Sequence, residues 1–384
     1  MTDYMARALE LGEIARGATG NNPAVGAVVV KDGRVVGEGY TQAPGRPHAE
    51  IMALRQAGEQ ARGGTVYVTL EPCCHHGRTP PCTDALIAAG VAEVSMSMLD
   101  PNPLVSGKGL AALADAGIRT HVGEREPEAR RSMEAWLTYI VKHRPMVTAK
   151  FAMSLDGRIA TASGDSKWIT GAAARQAAHR LRSESGAVLV GVNTVIVDDP
   201  HLTARDAAGD PLPRQPLRVV FDSRGRIPLS SHVVSGGLPG QTLIAVGPRA
   251  DRGKCQELER RGNVVLSMPE RDGHVSIEDV LYNLAADWEI TSALVEGGGG
   301  LIGSFFDLGL VDKVVAFVAP KVIGGRDALG PVEGRGAADL KSATSLESWS
   351  WKQVGNDLML EGYVSTRSAR APELEAGTSL PGRV

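Results

Sequence analysis

The chain has 384 residues, which at about 150 residues per domain points to two domains. Hydrophobic residues make up 43% and charged residues 22%, a globular balance that excludes a disordered or fibrous protein. Lys and Arg number 41 against 44 Asp and Glu, a net charge of -3, without the basic excess of a protein held mainly to nucleic acid or an anionic membrane.

Residues 3–17 carry Tyr4, Ala8, Leu11 and Ala15 at helical spacing. Two apolar runs follow, Val25–Val30 and Val35–Tyr40, joined by Asp32-Gly33, a hairpin signal because both turn residues must tolerate positive φ. The pattern then predicts a helix over Ala49–Ala61, a strand over Thr65–Leu70, a helix over Thr83–Ala89 stopped by Gly90, and a strand over Val94–Met98. A helix over Leu110–Ala116 and a strand over Ile118–Val122 complete a three-layer α/β domain. The boundary is expected near Pro145, giving domains over 1–144 and 145–366, and 367–384, mostly small, charged or Pro/Gly, is expected to be a disordered tail.

In the second half, strands are expected at Met146–Phe151, Val188–Val192, Leu217–Phe221, Thr242–Val246, Ala293–Glu296 and Lys313–Val318. Helices are expected at Ala172–Ser183, Arg252–Arg261, Ile277–Ala286 and Leu301–Leu308, with 203–216 as a surface loop. The first residues are charged and lack an apolar h-region, and no run approaches 18 apolar residues, so neither a signal peptide nor a membrane span is expected. Four cysteines are too few for a disulfide framework, and the clustering of Cys73, Cys74 and Cys82 reads as metal binding in a reducing cytoplasm.

His48-Ala49-Glu50 opens a predicted helix, Pro72-Cys73 follows a predicted strand about 25 residues later, and Cys82 leads into another helix. This matches the H-x-E then P-C pattern of zinc deaminases. One imidazole and two thiolates leave the fourth tetrahedral position to water, whose pKa zinc lowers to about 7. Helix N-termini are expected to ionise both thiols. Glu50 then moves a proton from the water to the departing amine. A closed structural zinc site, with His75 or Cys74 as fourth ligand, uses the same residue types. The loop from Cys74 to Pro81 carries two histidines and Arg78, suited to an anionic group such as a phosphate.

In the second half, Gly298, Gly300 and Gly303 satisfy G-x-G-x-x-G between a strand and a helix, where backbone N–H groups can approach a pyrophosphate. A Rossmann domain carries this motif in its first βα turn, which disfavours that fold here. Trp168 lies in a polar loop and by type alone reads as core.

The stretches 22–40, 47–50 (PHAE) and 68–82 (VTLEPCCHHGRTPPC) resemble the bifunctional deaminase-reductase family of riboflavin biosynthesis. The likeness continues through KFAMSLDG, GDSKWIT, NTVIVDDPHLTAR and VEGGGG, and covers 3–363. It implies a cytidine-deaminase-like domain followed by a dihydrofolate-reductase-like domain. It also implies zinc on His48, Cys73 and Cys82, and Glu50 as proton donor. Asn22, His75 and Arg78 would contact the pyrimidine. NADPH would contact Ala152, Trp168, Thr194, Asp198, Ser223 and the loop Gly298, Gly299, Gly300, Leu301, Ile302, Gly303 and Ser304. The substrate of the second step would meet Ser166, Arg182, Leu202, Arg205 and Glu296, with Lys150 beside the ribose. Arg182 and Arg205 suit a 5′-phosphate because a guanidinium binds it bidentately. Cys74 stands where the family usually has Ser, and Thr41 where a His often contacts substrate. The partners implied are a small phosphorylated pyrimidine and a second copy of the chain, without nucleic acid or membrane. The competing readings are a tRNA-type nucleic-acid deaminase with an accessory domain, and a non-enzymatic zinc module on a lone reductase.

Overall fold

The computed structural model describes residues 3–77 and 79–365, so Arg78 and the tail predicted from 367 lie outside the described residues. The chain divides into two compact units that meet at Arg144 and Pro145.

In the first unit, α1 (Tyr4–Ala15) precedes the hairpin β1 (Gly26–Lys31) and β2 (Arg34–Tyr40), whose turn residues Asp32 and Gly33 both take positive φ. There follow α2 (Ala49–Ala57), a 3₁₀ turn at Gly58–Ala61, β3 (Thr65–Val68), α3 (Cys82–Ala89) and β4 (Glu93–Met96). α4 (Lys108–Asp115), β5 (Arg119–Val122), α5 (Glu126–Ser132) and α6 (Glu134–Lys142) complete it. The sheet order is β2-β1-β3-β4-β5, antiparallel at β2-β1-β3 and parallel from β3 to β5. Strand side chains alternate between faces. Ala27 and Val29 accordingly join the core of α2, α3 and α4, while Val28 and Val30 pack against Met5, Ala8 and Leu11 of α1. Both faces of the sheet are covered, giving three layers.

The second unit holds a nine-stranded sheet of order β10-β9-β8-β7-β13-β6-β14-β16-β15. Its strands are β6 (Met146–Ser154), β7 (Ala187–Gly191), β8 (Leu217–Phe221), β9 (Thr242–Val246), β10 (Val264–Ser267), β13 (Ser292–Gly297) and β14 (Lys313–Ala319), with the terminal hairpin β15 (Leu346–Val354) and β16 (Asp357–Val364). Two-residue strands β11 (Glu270–Arg271) and β12 (His274–Val275) form a separate ribbon. The helices are α7 (Ala172–Glu184), α8 (Val192–Asp198), α9 (His232–Ser235), α10 (Arg252–Arg260), α11 (Ile277–Ala286) and α12 (Gly299–Asp307). All pairings from β10 through β14 are parallel, and β16 and β15 close the edge antiparallel. This is the dihydrofolate-reductase-like α/β arrangement expected. Its parallel strands are buried on both faces, with one core on each side of the sheet.

Two expectations change. Thr203 and Ala204, at the start of the supposed surface loop 203–216, are buried, and Thr203 lines a cavity described below. Helix α8 and the strands β10, β15 and β16 were not foreseen. No helix among the described residues is long and apolar enough to cross a membrane.

Candidate active sites

His48 is the N-cap of α2, and Glu50 sits in its first turn, 4% exposed. The helix can lie this close to β2 because β2 carries glycines there. A Cβ on Gly37 would stand 2.1 Å from the Ala53 carbonyl oxygen, and one on Gly39 2.3 Å from that of Ala49. Cys82 is the first residue of α3, and its backbone N–H donates to the Cys73 Sγ at 3.4 Å. The N-terminus of α3 therefore serves both sulfurs.

His48 Nδ1 lies 3.6 Å from the Cys73 Sγ and 3.4 Å from the Cys82 Sγ, and the three ligand atoms fall within 4.8 Å of one another. Bond lengths of about 2.1 Å to nitrogen and 2.3 Å to sulfur at tetrahedral angles put N and S about 3.6 Å apart. The donor set therefore fits zinc in chemistry and spacing. Among the described residues it is the one cluster of three or more such side chains able to hold a metal. Cys74 turns its Sγ to the Leu104 carbonyl at 3.9 Å and stands outside it.

The two thiols are not equivalent. The hydrogen bond from Cys82, helped by His48, pulls Cys73 down to about 4 despite its burial, while that same bond and burial push Cys82 up. Cys73 is thus the more readily ionised thiol of the pair, and a bound cation would favour the loss of both protons. Burial raises Glu50 to about 7, with the Cys73 charge adding to the effect, so its carboxyl can hold and release a proton near neutrality. His75 has a buried Nδ1 with no protein partner. Asn22 closes a turn with Thr19 before β1. Thr41 is buried, its hydroxyl accepting from the Val25 N–H and donating to the Val25 carbonyl.

Two residues that position this site carry no motif of their own. The buried Glu71 carboxylate accepts N–H groups from Asp100, Gly107 and Leu110, fixing the loop before α4. Gly109 lets α4 approach Pro72, since a Cβ there would lie 2.2 Å from the Pro72 carbonyl oxygen. The run Glu71-Pro72-Cys73 is thus held from behind.

In the second unit, a cavity of about 770 Å³ is lined by residues of the carboxyl-terminal halves of β6, β13 and β14. It gathers Lys150, Ala152, Ser166, Trp168, Arg182, Thr194, Asp198, Leu202, Arg205, Glu296, Gly298, Gly299 and Ile302, all read from the sequence as candidates. Ser166 donates to the Asp198 carboxylate at 3.2 Å, and the Gly298 N–H donates to the Thr194 hydroxyl at 2.9 Å. Trp168, read by type as core, is 64% exposed and stands in the cavity wall.

The glycine motif divides its work. A Cβ on Gly303 would meet the Glu333 carbonyl oxygen at 2.0 Å, and one on Gly299 the Gly330 carbonyl oxygen at 2.7 Å. Gly299 and Gly303 therefore admit the 330–334 segment against α12. Gly298 and Gly300 have more room, the nearest atoms to a Cβ being 3.4 and 3.5 Å away. Gly300, Leu301, Gly303 and Ser304 do not line the cavity. Nor does Ser223, whose hydroxyl accepts the Val275 N–H.

Arg182 also departs from expectation. Its Nε and Nη2 reach the two oxygens of Glu296 at 2.5 and 2.8 Å, and its Nη1 donates to the Thr203 carbonyl. Its bidentate face belongs to a buried carboxylate. Burial alone would raise Glu296, but Arg182 and then Lys150, at 3.5 Å, hold it at about 2. Burial lowers Lys150, and the neighbouring Arg182 charge adds to this.

Residues 145–360 match the family model for the RibD C-terminal domain, and 1–98 match that for the cytidine and deoxycytidylate deaminase zinc-binding region. The riboflavin biosynthesis protein RibD of Aquifex aeolicus is 44% identical over 93% of this chain and 97% of its own. That of Escherichia coli is 43% identical with the same coverage. The chain belongs to the RibD family. RibD of Acinetobacter baumannii superposes with a TM-score of 0.83 at 38% identity, over 94% of this chain and 98% of that one. A diaminohydroxyphosphoribosylaminopyrimidine deaminase/5-amino-6-(5-phosphoribosylamino)uracil reductase from Thermotoga maritima gives 0.79 at 34% identity with the same coverage. As a RibD the chain is a bifunctional enzyme of riboflavin biosynthesis, a zinc deaminase and an NADPH-dependent reductase in one polypeptide. The reading as a nucleic-acid deaminase with an accessory domain is not favoured, since the second half is itself a RibD reductase domain.

Proposed function

We propose that the chain deaminates 2,5-diamino-6-ribosylamino-4(3H)-pyrimidinone 5′-phosphate and then reduces the ribosyl group to a ribityl chain. The observation that carries this is a buried Glu50 beside a His/Cys/Cys set with zinc spacing, in a chain whose other half is a RibD reductase domain. In the first step water adds to the ring carbon and the exocyclic C–N bond breaks, releasing ammonia. His48, Cys73 and Cys82 hold zinc, which when bound supplies a water acidic enough to attack at neutral pH. Glu50 takes that proton and passes it to the leaving amine, a role its value near 7 suits. Asn22, His75 and Arg78 hold the pyrimidine, and the unpartnered Nδ1 of His75 supports a ligand there.

In the second step the cofactor, when bound, would supply a hydride for C1′ of the opened, imine-like ribosyl group, whose nitrogen takes up a proton. Ala152, Trp168, Thr194, Asp198, Gly298, Gly299 and Ile302, which line the cavity, would hold the cofactor. Ser166, Leu202 and Arg205 bind the ribosyl phosphate. Glu296 and Arg182 form the buried floor, and Lys150 is placed by them to orient the ribose.

The enzyme works in the cytoplasm, in keeping with four free cysteines, and as a homo-oligomer. The exposed Trp349 and Trp351 on the edge strand β15 support self-association. Light scattering coupled to gel filtration reads the assembly directly. The functional test supplies the diaminopyrimidinone ribosyl phosphate with NADPH and follows ammonia and NADPH separately. Equal amounts of ammonia released and NADPH oxidised are expected. Ammonia without NADPH consumption would refute the second step, and neither signal would refute the assignment.

A further inference from the structure

His179 is used by neither step described above, yet it lines the reductase cavity. It stands on α7 one turn before Arg182, a spacing that puts both side chains on one face of the helix. Their contacts converge on Thr203, which is fully buried. The Thr203 carbonyl lies 3.0 Å from His179 Nδ1 and accepts the Arg182 Nη1–H at 3.2 Å, while the Thr203 hydroxyl accepts from Arg205 Nε at 2.9 Å. A carbonyl oxygen can only accept, so Nδ1 must carry the ring proton. Burial, and then the Arg182 charge, push His179 below the ordinary histidine range; Arg205 adds to this, and the Thr203 carbonyl and Glu296 oppose it. The ring is therefore neutral near pH 7, and its Nε2 is an acceptor. Nε2 has no hydrogen-bond partner among the described residues.

The place of this acceptor limits what it can meet. Thr203 ties it on one side to Arg205, assigned above to the ribosyl phosphate. On the other side Arg182 leads to Glu296, and Glu296 to Lys150 at 3.5 Å, the lysine assigned to the ribose. Between its 5′-phosphate and C1′ a ribose carries hydroxyls at C2′ and C3′, and a hydroxyl can donate to a neutral imidazole nitrogen. Within the reductase reading given above, on which this rests, we infer that His179 is a specificity-determining residue: its Nε2 accepts a hydrogen bond from a secondary hydroxyl of the substrate's ribose. The bond from Nδ1 to Thr203 fixes the ring before the sugar arrives, so little of its freedom is lost on binding. A site built around such an acceptor rejects a sugar that lacks the hydroxyl, because Nε2 is then left unpaired.

The test is calorimetric titration of the full-length protein with ribose 5-phosphate and with its 2-deoxy and 3-deoxy analogues, for wild type, His179→Asn and His179→Gln. Asn puts an amide N–H where Nδ1 stood, which keeps the Thr203 contact, and has nothing at Nε2; Gln can bring an amide oxygen to the place of Nε2. Wild type is expected to bind ribose 5-phosphate about tenfold more tightly than one of the two deoxy sugars. His179→Asn should abolish that preference by weakening ribose 5-phosphate, and His179→Gln should restore part of it. A wild type that binds none of the sugars, or all three alike, would overturn the inference. So would a His179→Asn variant that keeps the preference or weakens all three sugars equally, since His179 would then act only through Thr203. Because these titrations need no turnover, a wild type that shows the preference but does not oxidise NADPH with the deaminated pyrimidine would refute the reductase reading and leave the hydroxyl contact standing.

Discussion

The two active sites are built on different scales. The metal centre takes its ligands from about 35 consecutive residues, His48 to Cys82, and brings three ligand atoms within 4.8 Å. The reductase cavity draws on residues from Lys150 to Pro331 and spreads them over about 770 Å³. A metal concentrates its chemistry at a point, so a few side chains at two helix N-termini suffice. A dinucleotide and a sugar phosphate need an extended surface, and that surface is held by charge pairs and backbone contacts between distant segments. The point-like site should therefore fail all at once, and the extended one by degrees.

Cys82→Ser tests the first half of that statement and has the largest expected effect. Bound zinc should fall from one per chain to a small fraction, measured by atomic absorption, and ammonia release should disappear, while NADPH oxidation with the deaminated pyrimidine persists. A variant that kept its zinc would show that His48 and Cys73 recruit another ligand.

Glu296→Gln strikes the buried floor of the second site. It leaves Arg182 and Lys150 without their carboxylate, and should lower the stability of the reductase unit by about 3–5 kcal/mol in denaturant titrations. The pH dependence has a definite sign. Glu296 is held at about 2 against an ordinary 4.5, so its contribution is present above about 4.5 and is lost as the pH falls from there towards 2. Wild type should lose stability across that window more steeply than Glu296→Gln. Parallel curves would mean the carboxylate is not ionised in the folded protein.

Cys74→Ser should do least. Its sulfur faces the Leu104 carbonyl, not the ligand set, so zinc content and ammonia release should stay within about twofold of wild type. A larger change would return Cys74 to the metal centre.

The same difference in scale decided what could be read before any coordinates. The H-x-E and P-C elements are local, and each sits at a helix or strand edge that hydrophobic spacing locates, so the cluster at His48, Cys73 and Cys82 was legible. The partnership of Arg182 with Glu296 was not, because the two lie 114 residues apart and nothing near Arg182 signals a buried acid. Trp168 reads as core by residue type alone, and only the resemblance put it on the cofactor. Large aromatics are usually inside, and only the cavity shows why this one is exposed. The glycine run suggested a phosphate cradle, yet Gly299 and Gly303 are required by a segment some thirty residues later that presses on α12. Helix α8 continues the apolar run of β7, so periodicity alone gave no break at Gly191. Strand β15 is exposed almost throughout and shows none of the alternation that marks a half-buried strand.

The central claim is that two chemically independent sites act in sequence within one chain, and Glu50→Gln addresses it most directly. The variant should bind one zinc per chain and release ammonia at least about a hundredfold more slowly than wild type. Supplied with the deaminated aminouracil ribosyl phosphate, it should oxidise NADPH at the wild-type rate. Ammonia release at the wild-type rate from this variant, or loss of both activities with zinc and fold intact, would contradict the account.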